Sequence, residues 1–276
     1  MKACPNISLL FGEAPLLERF ALAAAAGFDT VELWWPRGED LHAVRAAARE
    51  AGVGVAALNF DAGDMPAGDR GVLSNPHRQD EFRDNVPVAL KLASDLGCRQ
   101  LNALVGVALK GCTREEQLAL AVENLRFAAD HAREQGASVL VEAVNTLENG
   151  PYLVSTTAAA AELVARVERP NVSLQYDAYH MQRMEGNLSA TVREYASQIA
   201  HVQVADSPGR HEPGSGEINF RYLLGVLEQV GYDGYLGLEY KPRGGTEESL
   251  EWLPRDQRSG ALDVEALTFE RVQVAA

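Results

Sequence analysis

Four residues at near-regular intervals carry most of the chemistry this sequence offers. Glu142 closes the apolar run "SVLVE", Asp177 closes "VSLQYD", Gln203 lies in "AHVQVAD", and Glu239 lies in "GLEYKP". The steps between them are 35, 26 and 36 residues. Taken singly, a polar residue ending a buried run is most simply a group that hydrogen-bonds a loop. A set of four is harder to explain that way, because buried charges are costly unless paired or bound to a cation. Three carboxylates held together would repel one another without a positive partner. Three carboxylates and an amide oxygen form a hard, all-oxygen set, which suits Mg²⁺ or Mn²⁺ rather than the nitrogen- and sulfur-seeking Zn²⁺.

The elements that must position these residues alternate regularly. Short apolar runs at 3–8, 30–35, 53–60, 99–106, 138–145, 172–180, 200–206 and 234–242 read as strands. They are near-continuous in apolar character, as parallel strands covered on both faces should be. Helical spacing is read over 14–28, 39–52, 80–97, 113–136, 156–167, 188–198, 220–231 and 246–253. Gly27, Gly52 and Gly97 stop three of these helices. Thr113 followed by Glu116 forms a capping box at the start of another. Eight strand–helix units in 276 residues predict a single α/β domain, a closed (β/α)8 barrel over residues 1–254, with 255–276 as a C-terminal tail. No GxGxxG follows the first strand to favour a doubly wound open sheet. In a closed barrel the ends of strands five to eight are consecutive on one rim, so the four residues can converge above it.

The loop 61–78, "DAGDMPAGDRGVLSNPHR", follows strand three on that same rim and is long enough to be a lid. His180 in "DAYH", Lys241 in "EYKP" and Arg210 in "SPGRHEPG" are the candidates for holding a substrate. His180 and Lys241 each have a plain alternative, a hydrogen-bonded histidine at a helix start and a solvated lysine, while Arg210 lies on the seventh βα loop, on the same face. His211 and Glu217 share the Arg210 loop, and Trp34 and Trp35 could wall a pocket or simply pack under a loop. Glu148, in "NTLENG", is too loosely placed to be assigned a role.

The formal charge of −14, with no Lys/Arg-rich run, argues against nucleic acid or an anionic membrane as partner. Cys4, Cys98 and Cys112 are too few and too scattered for a disulfide framework or a zinc pair. No apolar run of membrane-spanning length occurs, and residues 1–20 lack the pattern of a secretory leader. The expectation is a soluble cytoplasmic protein.

Longer motifs add a resemblance. "NISLLFGE", "GFDTVE", "PAGDRG", "NALVG", "QYDAYHMQRMEGNL", "HVQVAD", "RHEPGSGEIN" and "GLEYKP" together resemble the hydroxypyruvate isomerase family, a branch of the xylose-isomerase-like barrels. The likeness runs from about Asn6 to Trp252. It implies a (β/α)8 barrel, a divalent metal, and interconversion of hydroxypyruvate with 2-hydroxy-3-oxopropanoate. It implies a small hydroxy- or oxo-acid substrate and, by analogy among such barrels, a homodimer or homotetramer. It also implies Glu142 and Glu239 as proton donor and acceptor, and Glu142, Asp177, Gln203 and Glu239 as metal ligands. Related members act on 2-dehydrotetronate, one carbon longer, and "VEAVNTLENG" departs from both patterns, so three-carbon and four-carbon acids both stay open. Sugar 3-epimerases of the same group often carry His where Gln203 stands. Two rival classes are a metal-dependent nuclease, which would want several His ligands and a basic groove, and a metabolite-binding barrel without turnover, which has no need of two proton-transfer glutamates.

Overall fold

The computed structural model describes residues 1–269. Eight parallel strands form the wall of the molecule: β1 (Lys2–Pro5), β2 (Thr30–Leu33), β3 (Gly54–Asn59), β4 (Gln100–Asn102), β5 (Ser138–Glu142), β6 (Val172–Asp177), β7 (Ile199–Val204) and β8 (Tyr235–Leu238). From β2 to β8 each strand pairs with the next in sequence, and β8 pairs with β1. The last seam, between β1 and β2, is held by a parallel bridge from Asn6 to Glu32 and by the Ile7 amide donating to the Glu32 carbonyl at 2.9 Å. The protein is therefore a single (β/α)8 barrel.

The strands are joined by the helices α1 (Leu16–Ala25), α2 (Leu41–Ala51), α3 (Gln79–Asp95), α4 (Arg114–Glu134), α5 (Thr146–Asn149), α6 (Thr157–Val167), α7 (Ala178–Met184), α8 (Leu188–Tyr195) and α9 (Phe220–Gln229), and α10 (Thr246–Ser249) follows β8; the longer ones cover the outside. Local chemistry explains several of their ends. Asp40 caps α2 and Gly52 closes it in the left-handed conformation. Thr113 and Glu116 satisfy each other's backbone amides at the start of α4. The apolar faces of these helices bury Phe20, Val44, Phe82, Leu90, Leu125, Leu163 and Leu224 against the outer faces of the strands.

All eight strands end before the runs read from the sequence, and two of those ends have a plain local cause. β4 stops at Asn102 because the chain turns away to pack under loop 61–78. There Gly106 (φ 105°) would put a Cβ 2.8 Å from the Gly71 carbonyl oxygen. β6 stops at Asp177 because its carboxylate caps α7, accepting from the Tyr179 and His180 amides at 2.7 and 3.2 Å. Helices α5 and α7 are short turns inserted on the site's rim, inside segments read from sequence as strand ends and loops.

Residues 255–269 pack against the barrel. Ala261 pairs antiparallel with Lys2, Arg258 donates to the carbonyls of Ala26, Leu250 and Leu253, and Leu262, Val264 and Leu267 are buried. This segment crosses the N-terminal end of β1, opposite the rim that carries the four spaced residues. Residues 270–276 of the expected tail lie outside the described residues. No helix among the described residues is long and apolar enough to cross a membrane.

Candidate active site

The upper interior of the barrel is polar, against the usual layers of branched apolar side chains. Along β6 and β7, period-two alternation turns Gln175, Asp177, His201 and Gln203 inward, with Gln175 beside His201 and Asp177 beside Gln203. Glu142 ends β5 and Glu239 follows β8 directly. Glu142, Asp177, His180 and Glu239 are all buried, and one ligand-capable atom from each lies within 4.8 Å of the others.

Each acidic group has its own support. Glu142 Oε2 accepts from Asn102 Nδ2 at 2.7 Å and from Gln175 Nε2 at 3.0 Å. Glu239 Oε1 accepts from Trp34 Nε1 at 2.7 Å and Asn6 Nδ2 at 3.0 Å, and its Oε2 pairs with Arg210. Asp177 spends Oδ1 on the cap of α7, while its buried Oδ2 meets no hydrogen-bond donor among the described residues. An orphaned carboxylate oxygen is costly in a protein interior. It fits a site built to be completed by a cation. The donor set, three carboxylates with an amide oxygen and an imidazole alongside, suits a divalent metal.

Burial pushes the carboxyl of Glu142 well above the usual range, and the neighbouring Glu239 and Asp177 push it the same way. Glu239 is also raised, by burial first, with Arg210 and the Trp34 hydrogen bond opposing the rise and Asp177 adding to it. Burial works against the Arg210 charge, but Glu239, Asp177 and Glu142 outweigh it and hold the guanidinium protonated. His180 is pushed down to about 4, chiefly by burial, so its ring is neutral at pH 7.

The other expected residues fall into three places. His180 enters the cluster, its Nε2 lying 3.8 Å from Glu142 and 3.6 Å from Asp177, with Nδ1 held by Asn145 at 2.7 Å. Arg210 enters too, although its residue sits at φ 56°, a conformation L side chains rarely adopt. Asp206 holds the loop that presents it, accepting from the amides of Ser207, Gly214, Gly216 and Ile218 at 2.8–3.0 Å. Any Cβ at Gly216 would stand 2.0 Å from the Ser207 carbonyl oxygen, so that position needs glycine. Lys241 is exposed, and its backbone ties β8 to the same loop, its amide donating to the Arg210 carbonyl and its carbonyl accepting from His211. Gln203 lies beside Asp177 on the neighbouring strand, donating Nε2 to Glu32 at 2.8 Å and accepting at Oε1 from Gln175 at 2.7 Å. Of the rim residues, Trp34 reaches Glu239, and Trp35 is half-buried against the core. Glu217 stays exposed and accepts from Ser207 and Gln182.

Sequence reasoning passed over several participants. Asn6, Asn102, Gln175 and Asn145 are neutral amides at strand ends, and only their inward register marks them. Glu148 sits at the rim, accepting from Tyr179 Oη at 2.7 Å and Asn145 at 3.2 Å. Burial opposes its charge, but those hydrogen bonds and the nearby Arg210 hold its carboxyl below the usual range. Loop 61–78 is fastened rather than free. Gly71 (φ 111°) lies so close to the Leu104 carbonyl that a Cβ would be 2.2 Å away, Asn124 Nδ2 donates to Leu73 O, and Arg70 reaches across to Asn149 of α5.

With this geometry in place, comparisons with known proteins agree on a lineage. The family described as Xylose isomerase-like TIM barrel matches residues 20–255. Hydroxypyruvate isomerase of Escherichia coli is 41% identical over 248 residues, covering 90% of this chain and 96% of its own. 2-oxo-tetronate isomerase of Haemophilus influenzae is 36% identical over 254 residues, covering 92% and 98%. A solved structure named AP endonuclease, family 2, from Brucella melitensis is 42% identical with a TM-score of 0.87, covering 91% and 97%.

Proposed function

Because this chain belongs to the xylose isomerase-like TIM barrel family, and within it to the hydroxypyruvate isomerases, we propose that it is a metal-dependent aldose–ketose isomerase that interconverts hydroxypyruvate and 2-hydroxy-3-oxopropanoate. The observation that carries the mechanism is the pair of buried glutamates, Glu142 and Glu239, converging with Asp177 at the mouth of the barrel.

The reaction moves one hydrogen between adjacent carbons. One glutamate takes the proton from C3 of hydroxypyruvate, the electron pair passes into the C2 carbonyl, and an enediolate forms. The other glutamate delivers a proton to C2, and C3 becomes the aldehyde as its hydroxyl proton is given up to O2. Running in reverse, the two exchange roles. Positioned acid–base groups contribute roughly 10²–10⁴-fold.

Glu142, Asp177, Gln203 and Glu239 would hold the metal, Mg²⁺ or Mn²⁺, which when bound supplies Lewis-acid stabilisation of charge on the substrate oxygens. Gln203 Oε1 retains a second lone pair beyond the one Gln175 uses. His180 and Arg210, which enter the cluster, hold the substrate carboxylate and hydroxyls, whereas the exposed Lys241 side chain makes no hydrogen bond or ion pair to the cluster among the described residues. The Arg210 Nε is a buried donor with no hydrogen-bond partner among the described residues, and a substrate oxygen would satisfy it. Loop 61–78, linked through Arg70 to α5, excludes water from the enediolate.

The four-carbon reading has one specific support, the likeness to the Haemophilus influenzae 2-oxo-tetronate isomerase. The nuclease name borne by the Brucella melitensis structure finds little to support it in these residues. The cluster holds one histidine, and a chain of net charge −14 repels a phosphate backbone. A turnover assay on metal-stripped protein tests the whole reading, with Mn²⁺ or Mg²⁺ restored, hydroxypyruvate and 2-dehydrotetronate offered separately, and Glu239→Gln run beside the wild type. Metal-dependent conversion of hydroxypyruvate, lost in the variant, is the expected result. Conversion of the four-carbon acid alone would move the substrate, and turnover of neither would sink the reaction.

A further inference from the structure

Beneath the cluster lies a carboxylate that the proton transfers do not use. Glu32, at the closing seam of the barrel, is 1% exposed. Its Oε2 faces His201 Nε2 at 2.6 Å. Its Oε1 accepts from Gln203 Nε2 at 2.8 Å and from Asn6 Nδ2 at 3.0 Å. The barrel makes room for it. Gly237 of β8 has no side chain where a Cβ would stand 2.4 Å from Glu32 Oε2. The register between β2 and β3 shifts just before Glu32, the kind of irregularity that re-aims a side chain beside a site.

The donors around Glu32 all point one way. A carboxylate only accepts. The Gln203 amide must therefore turn its nitrogen toward Glu32 and its oxygen toward Gln175. Gln175 Nε2 in turn bridges Gln203 Oε1 and Glu142 Oε2, at 2.7 and 3.0 Å. On the other side, Asn6 Nδ2 bridges Glu32 and Glu239, both at 3.0 Å. An unbroken chain of amides thus runs from Glu239 through Glu32 and Gln203 to Glu142.

We propose that Glu32 is the positioning residue of this site: it fixes the Gln203 amide with oxygen rather than nitrogen offered to the metal, and through Asn6 it sets the orientation of Glu239. The inference rests on the metal reading given above. Without an acceptor at position 32 the amide nitrogen loses its partner and only the Gln175 hydrogen bond still holds the oxygen, so the amide can turn more readily, and an NH₂ group cannot ligate a cation.

Titration of metal-stripped protein with Mn²⁺, followed by calorimetry, tests it. In E32M, which removes the acceptor and keeps the bulk, Mn²⁺ affinity should fall by about 10–100-fold, the usual effect of losing a group that orients a ligand. Adding Q203E to E32M should restore affinity to within about threefold of wild type, because a carboxylate presents oxygen whichever way it turns. A merely structural role would lower the melting temperature of both variants and show no such rescue. Gly237→Ala, which crowds the Glu32 carboxylate without removing it, should weaken Mn²⁺ binding as well, and it decides the matter if E32M does not fold. Wild-type Mn²⁺ affinity in folded E32M or G237A, or a loss in E32M that Q203E leaves unrelieved, overturns the proposal while the isomerase reading stands. Failure of the wild type itself to bind Mn²⁺ would take both down.

Discussion

The two halves of the barrel rim divide the work differently. Strands β5 to β8 end in charged or metal-capable side chains, and their loops supply His180 and Arg210. Strands β1 to β4 contribute Asn6, Trp34 and Asn102, neutral donors aimed at the carboxylates of the other half. The exception is Glu32, which serves the floor and not the mouth. The contrast shows why charge can be concentrated on one side. Three buried carboxylates are tolerable when the facing half supplies only N–H donors, since hydrogen bonding to the ionised form offsets part of the cost of burial.

The largest expected effects fall in the late half. Glu142→Gln and Glu239→Gln should each lower kcat by about 10²–10⁴-fold, and the double variant should be little worse than either alone, because the two act in one sequence of proton transfers. Steady-state kinetics and solvent-deuterium incorporation into substrate measure this. Fully additive losses would show that the glutamates act independently. In the early half, Gly71→Ala places a Cβ against the Leu104 carbonyl and a side chain at φ 111°, so it should destabilise the protein by about 2–3 kcal/mol and raise KM more than it lowers kcat. Thermal melts and kinetics read the two parts. An unchanged KM would mean that the fastening of loop 61–78 to β4 has no bearing on substrate.

Trp34→Phe sharpens the comparison through pH. The Trp34 N–H favours the ionised form of Glu239, which burial otherwise disfavours. Losing that hydrogen bond raises the Glu239 pKa further. The acidic limb of the kcat/KM profile, where Glu239 must be ionised to act as base, should then move to higher pH by up to about one unit. A limb that stays in place would make the indole a packing group only.

The late half was legible because its groups are charged, end apolar runs and recur at one strand–helix spacing. That is why Glu142, Asp177 and Glu239 could be singled out together, and why His180, three residues from Asp177, came with them. The early half was not, because Asn6 and Asn102 look like ordinary loop-edge amides until the register turns them inward, and Gln175, within β6 of the late half, is hidden for the same reason. Trp34 was noticed as an aromatic wall, not as an N–H donor. The short helices α5 and α7 escaped notice because each is set by a cap, Asn145 and Asp177, inside segments whose apolar character reads as strand or loop. The alignment of Gln203 with Asp177 depends on a register shift between β6 and β7, and spacing along the chain cannot reveal it.

The smallest effect concerns the edge of the early half. Arg78 joins Asp69 at the tip of loop 61–78 to Glu81 in the first turn of α3. For Asp69, burial raises the carboxyl but the Arg78 hydrogen bond outweighs it; for Glu81, the Arg78 hydrogen bond is itself the main influence; both end below their ordinary values. A carboxyl whose folded pKa is depressed stabilises the fold above its unfolded pKa and loses that contribution as pH falls through the folded one. These groups are about a third exposed, so solvent screening holds the gain below about 1 kcal/mol. Arg78→Ala should therefore cost less than about 1 kcal/mol at pH 7, and the gap to wild type should close as the pH drops below the ordinary carboxylate range. Urea titrations at pH 7 and pH 3 would show it. A gap that persists at pH 3 would mean that Arg78 holds the loop by packing of its stem, and that the early half is fastened by contacts rather than by charge.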